Sequence, residues 1–130
     1  MLERLLANRT FLTAQGALDG LSARQAAIAD NIANVNTPGY KRKSVAFESA
    51  LAQAVNESIA PATGAAMSPA RPFRPHVTRE TGTSVRADGN GVDIELEMVQ
   101  LTDNTLHYQA LSDYVQRFFQ GLKAVINSGR

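Results

Sequence analysis

The sequence predicts an all-α chain whose long N- and C-terminal helices pair as an antiparallel coiled coil, with a short third helix and a disordered central link. Three observations carry that expectation. An apolar pattern of three-four spacing runs through each end, an Asn-rich turn closes the first of these patterns, and the middle is rich in proline and glycine.

In the N-terminal segment, apolar or small residues fall at Phe11, Ala14, Leu18, Leu21, Ile28, Ile32 and Val35, with Gln25 in the remaining place. This is the spacing of a heptad seam. Gly16 and Gly20 each weaken an isolated helix by about 1 kcal/mol relative to alanine, so the segment needs a partner to be stably helical. The pattern ends in Asn31-Ile32-Ala33-Asn34-Val35-Asn36-Thr37-Pro38-Gly39-Tyr40. Asparagine is a poor helix-interior residue, but its amide bonds nearby peptide groups and tolerates positive φ. Pro38 then fixes φ, and Gly39 supplies the positive φ that the third residue of a type II turn requires. The basic triplet Lys41-Arg42-Lys43 that follows reads as a solvated loop, since no aromatic platform accompanies it for a nucleic acid.

Phe47, Ala50, Leu51, Ala54 and Val55 predict a short helix of about three turns between residues 47 and 59. From 58 to 91 the chain carries Pro61, Pro69, Pro72 and Pro75 with four glycines, and no run of helix or strand period survives there. Such a segment buries too little surface to offset its ordering entropy, and it is expected to be a flexible link. At its end, Asp88-Gly89-Asn90-Gly91-Val92-Asp93 reads as a turn into a helix N-cap, because it lacks the alternating acidic ligands and the bidentate glutamate of a calcium loop.

The C-terminal pattern comprises Ile94, Met98, Leu101, Tyr108, Val115, Phe119, Leu122 and Ile126, with the polar exceptions Thr105 and Ser112. A second line, Leu111, Phe118 and Val125, makes the stripe wider than one seam and suits a helix that touches more than one neighbour. Asp93 is the expected N-cap, and Glu95 and Glu97 lie in the first turn, where negative charge complements the helix dipole. The pairing surface is therefore assigned to Leu18, Leu21, Ile28 and Ile32 against Ile94, Met98, Leu101, Tyr108, Val115, Phe119, Leu122 and Ile126.

At 130 residues the chain suits one domain. The expected units are 1–57 (helix, turn and short helix), 58–91 (link) and 92–130 (helix), with both ends forming one discontinuous domain. A formal net charge of +1 argues against a dedicated nucleic-acid binder. The balance shifts along the chain, from six Lys/Arg against four Asp/Glu up to residue 48 to three against six from residue 88 onward. Without cysteine there is neither a disulfide frame nor thiolate chemistry. No stretch is long and apolar enough to span a bilayer, and the charged N-terminus lacks the apolar core of a cleavable secretory signal. No nucleophile elbow, phosphate loop or His-carboxylate constellation appears, and His76 and His107 have no ligand spacing. The expectation is a non-enzyme with no metal, no cofactor and no small-molecule substrate. Two amphipathic ends with little else to pack on point to association with other chains; a small helical nucleic-acid or regulatory binder is the alternative of a different class.

The Asn-rich run 31–40, extended upstream by Leu21-Ser22-Ala23-Arg24-Gln25, is similar to the turn carried by the rod and hook members of the bacterial flagellar axial family. The short length, Lys41-Arg42-Lys43 followed by Val45-Ala46-Phe47-Glu48, and Gly91-Val92-Asp93-Ile94-Glu95-Leu96-Glu97 with Asn104, Tyr108 and Gln109 resemble the short proximal rod members most. About two thirds of the chain takes part. The resemblance implies a structural subunit of the basal-body rod that stacks helically around an export channel and spans the periplasm. It further implies export through the flagellar type III export gate without cleavage of a signal, and contacts with the rod protein FlgC and the adaptor FliE. Another short rod protein such as FlgC is the alternative within the family. Asn31, Asn34, Asn36, Thr37, Pro38, Gly39 and Tyr40 become an assembly turn that shapes a surface between subunits. Phe47 and Leu51, in Phe47-Glu48-Ser49-Ala50-Leu51, fit the Phe-x-x-x-apolar export element; the bland alternative is that they pack the short helix.

Overall fold

The computed structural model describes residues 9–57, 73–81 and 86–128. In chain order these form helix α1 (Arg9–Ala33), strand β1 (Lys43–Val45), helix α2 (Glu48–Glu57), strand β2 (Val77–Arg79) and helix α3 (Ile94–Ser128). The three helices fall where the periodicity put them. Asp93 caps α3 as expected, its Oδ1 accepting the N–H groups of Glu95 and Leu96 at 3.0 and 3.3 Å.

α1 and α3 lie side by side in opposite directions. Phe11 near the start of α1 meets the rings of Phe118 and Phe119, with centroids 6.4 and 5.5 Å away. Further along, Asn104 reaches Leu21 and Gln25, and Asn31 near the end of α1 reaches Glu97. The core forms where α1 also meets β1 and α2: Leu21, Ala27, Val45, Phe47 and Leu51 are buried, with Ala17, Ala23, Phe73 and Leu111 packed against them.

The all-α expectation needs one correction. β1 and β2 pair antiparallel, with Lys43 opposite Arg79, Ser44 opposite Thr78 and Val45 opposite Val77. Both strands are three residues long, and every residue of β2 is exposed, so no alternation of apolar and polar residues marks it in the sequence. β2 lies inside the stretch expected to be a disordered link. Backbone pairing to β1 orders it, and the turn at 86–91 is ordered by contacts to the Asn-rich run; residues 58–72 and 82–85 of the expected link lie outside the described residues.

A second correction concerns the face that α3 turns to α1. Leu18, Leu21, Ile28 and Ile32 of α1 are buried or half-buried, and Leu101, Val115 and Leu122 of α3 are half-buried. Ile94, Met98, Tyr108 and Ile126, however, are 43 to 62% exposed, and Phe119 is 44% exposed while its ring still rests edge-on against Phe11 of α1. The inward line runs instead through Glu97, Asn104, Leu111 and Phe118, and its first two members are polar and buried. An apolar count passes over those two places and settles on the neighbouring stripe.

The glycines of α1 make room for what packs on it. A Cβ on Gly20 would collide with the ring of Phe47, and one on Gly16 would come within 2.6 Å of Leu51 Cδ1. Gly20→Ala should therefore destabilise by about 1–3 kcal/mol through overpacking, despite the better helix propensity of alanine. Gly121→Ala in α3, where a Cβ meets nothing within 4 Å, should stabilise by about 0.5–1 kcal/mol. Urea unfolding of both variants checks this; equal and positive effects would show that no notch exists.

Candidate functional site

The Asn-rich run leaves α1 at Ala33 and is stitched to two distant parts of the chain. Its keystone is Asn31, which is fully buried. The Asn31 Nδ2 donates to Lys43 O at 2.8 Å and to Glu97 Oε2 at 3.0 Å. Its Oδ1 accepts from Lys43 N at 2.8 Å and from Tyr40 Oη at 3.4 Å. Every hydrogen-bonding position of the carboxamide is used. The amide thereby pairs with the free side of β1 much as a neighbouring strand would.

Around it, Thr37-Pro38-Gly39-Tyr40 forms the expected turn, with Tyr40 N donating to Thr37 O at 3.3 Å and Gly39 at φ +70°. The asparagines act through hydrogen bonds alone, since no residue other than glycine has positive φ among the described residues. Asn34 Nδ2 donates to Asp30 O at 2.8 Å, and its Oδ1 accepts from Thr37 Oγ1 at 3.2 Å. The carbonyls beyond the helix end are taken by Asn90, whose Nδ2 lies 3.0 Å from the oxygens of Asn34 and Val35 and 2.8 Å from that of Thr37. Gly39 N donates to Asp88 O and Gly91 N to Tyr40 O, so the turn at 86–91 lies against the Asn-rich turn. Asn36, Thr37, Pro38 and Gly39 face outward.

The basic triplet is not a solvated loop. Arg42 is the hub of a polar cluster: its Nε donates to Glu97 Oε1, its Nη1 to Glu80 Oε1 at 2.5 Å and its Nη2 to Gln100 Oε1 at 2.5 Å. The guanidinium thus ties the residue before β1 to the residue after β2 and to α3. Burial works against its charge, but Glu97 and then Glu80 outweigh that effect and raise its pKa above the ordinary arginine value. Lys43 pairs with Asp30 at 2.7 Å near the surface, and Lys41 is exposed.

Phe47 and Leu51 are both buried, seated over Gly20 and Gly16, so the packing reading holds for them in the folded chain. Arg24 covers this seat, with its guanidinium 4.6 Å from the Phe47 ring centroid, Nε donating to Val45 O at 3.0 Å and Nη2 paired with Glu48 at 2.6 Å.

A model of the family described as flagella basal body rod protein matches residues 11–41, which are α1 from Phe11 and the Asn-rich turn. The chain is 32% identical to the flagellar basal body rod protein FlgB of Bacillus subtilis over 123 residues, covering 93% of this chain and 95% of that protein. The chain belongs to the FlgB family of flagellar basal body rod proteins. Other FlgB relatives are those of Borrelia hermsii, 33% identical over 84% of this chain and 89% of the relative, and of Escherichia coli K12, 30% identical over 99% of each. The span matched with these FlgB proteins thus reaches well beyond the 11–41 segment, over most or all of the chain.

Two outcomes follow from this geometry. Arg42→Leu strands the buried Glu97 carboxylate and should cost about 3–5 kcal/mol, a large share of the roughly 5–15 kcal/mol that holds a small domain. Lys43→Gln should leave the urea midpoint near wild type; equal losses would refute the assignment of Arg42 as hub. For Glu48, partial burial works to raise the pKa, but the Arg24 hydrogen bond and the N–H groups of Glu48 and Phe47 prevail and hold it below the ordinary 4.5. The ionised carboxylate therefore stabilises above pH 4.5, and its contribution is lost as pH falls through the lower folded value. The difference in melting temperature between wild type and Glu48→Gln should be present at neutral pH and close in acid; a difference independent of pH would contradict it.

Proposed function

We propose that this member of the FlgB family is a structural subunit of the proximal rod, stacking helically with other copies around the export channel. The observation that carries this reading, beside family membership, is the surface of α3. Its inward face is covered by α1, yet Val99 and Leu106, one heptad apart on its far side, are 66 and 63% exposed, and Ile94, Leu96 and Met98 are exposed between. A helix that keeps large apolar side chains on its uncovered face has more than one surface to bury, and repeated contacts between unlike surfaces produce an open helical assembly. On this reading Ile94, Met98, Tyr108 and Ile126 of the expected pairing seam serve contacts between subunits, as do Asn36, Thr37, Pro38 and Gly39 at the tip of the assembly turn.

The neighbours in this reading are FlgC and other rod subunits, with the FliE adaptor at the base, and the chain spans the periplasm as part of the rod. The two ends act as one discontinuous domain. Export proceeds through the flagellar type III gate without a cleaved signal, and Phe47 and Leu51 are read by the gate before the chain folds, since folding covers both. Among the described residues no helix is long and apolar enough to cross a membrane, which is compatible with a rod subunit.

In a strain lacking the gene, Val99→Lys with Leu106→Lys should leave the melting temperature of the purified chain within a few degrees of wild type while abolishing swimming and completed basal bodies seen by electron microscopy. Normal swimming by that variant, or intact rods in the deletion strain, would overturn the proposal.

A further inference from the structure

Four polar side chains are buried among the described residues, and three of them, Asn90, Glu97 and Asn104, recur at intervals of seven. Each reaches the N-terminal segment. Asn90 takes the carbonyls of Asn34, Val35 and Thr37; Glu97 accepts from Asn31; Asn104 donates to Leu21 O at 3.1 Å and Gln25 Oε1 at 2.6 Å. Asn90 stands in the turn ahead of α3; within the helix, the line of Glu97 and Asn104 continues by sevens to Leu111 and Phe118, and α1 answers with Ala14, Leu21 and Ile28 at the same interval.

The apolar part of this pairing is degenerate. If α3 slipped by seven residues, Leu111 would take the place of Asn104, and apolar groups would still meet apolar groups. The polar part is not degenerate. The same slip brings Asn104 to the place of Glu97, leaves Arg42 facing an amide in place of a carboxylate, and removes Asn90 from the three carbonyls it covers. Buried polar groups without partners cost about 1–3 kcal/mol each, and more where a charge is stranded. Nor is Asn104 there for stability alone, because its Oδ1 is buried with no partner among the described residues. A single polar residue in an apolar seam is known to choose register at the expense of stability.

We infer that Asn90, Glu97 and Asn104 are specificity-determining residues that select the register in which the two ends of the chain pair, while the apolar stripe supplies the energy of pairing. This does not depend on the rod reading, and the isolated full-length chain tests it. Ser22 and Thr105 line one small hollow with Gln25 and Tyr108, and Ser112 lies seven residues beyond Thr105. The chain has no cysteine, so introduced pairs report alone. Under mild oxidation, Ser22→Cys with Thr105→Cys should form an intramolecular disulfide, and Ser22→Cys with Ser112→Cys should not. Both pairs are then placed in a background of Asn90→Ala, Arg42→Leu, Glu97→Leu and Asn104→Leu. The inference expects helical circular dichroism to persist and the slipped disulfide to rise at least tenfold over its yield in the native background. A folded background that forms only the native disulfide overturns it. So does loss of the helical signal, which would mean that these residues hold the ends together and do not choose between registers.

Discussion

The way the elements of the structure are aligned depends on one buried contact, in which the carboxamide of Asn31 bridges the backbone of β1 and the carboxylate of Glu97 while Arg42 neutralises that carboxylate from the other side. The groups involved come from α1, β1 and α3, and each would be costly to bury alone. None of these elements has a satisfied interior until the others are present. A seam of ordinary hydrophobes would allow the helices to approach in several ways; this cluster makes their meeting conditional on the turn and the small sheet being formed as well.

Much of the architecture was legible because it rests on periodicity and on residues with special backbones. The helices at both ends, the Asp93 cap and the Pro38-Gly39 turn all follow from local chemistry. The sheet was not legible, because three exposed residues paired through backbone groups leave no pattern of side chains. Arg42 was misread for a related reason. A cation followed by a cation looks solvated until its partners, Glu80, Glu97 and Gln100, arrive from 38 to 58 residues away. Reading α3 by its apolar residues alone turned the helix toward Ile94, Met98 and Ile126, because the true inward line opens with a glutamate and an asparagine. Of the residues assigned to the assembly turn, Asn31, Asn34 and Tyr40 are engaged within the subunit, and the tip from Asn36 to Gly39 is turned outward.

The distribution of apolar surface completes the picture of a subunit unfinished by itself. α1 spends its small residues on close contacts with Phe47 and Leu51, so its surface is largely used within the chain. α3 is ten residues longer, 35 against 25, and keeps large hydrophobes on its outer faces. Family membership supplies the setting in which such a helix is useful, as part of a basal body rod.

The bonds that join the ends also set an order of events. Asn31 and Glu97 are 66 residues apart in sequence, and Leu21 and Asn104 are 83 apart. A chain made from its first residue onward thus has α1, the turn and α2 in place before Glu97 and Asn104 exist to meet Asn31, Arg42 and Leu21. Loop-closure entropy opposes these contacts until both partners are free in the same space. The last helix therefore acts as a latch that closes late, over the core that α1, β1 and α2 share.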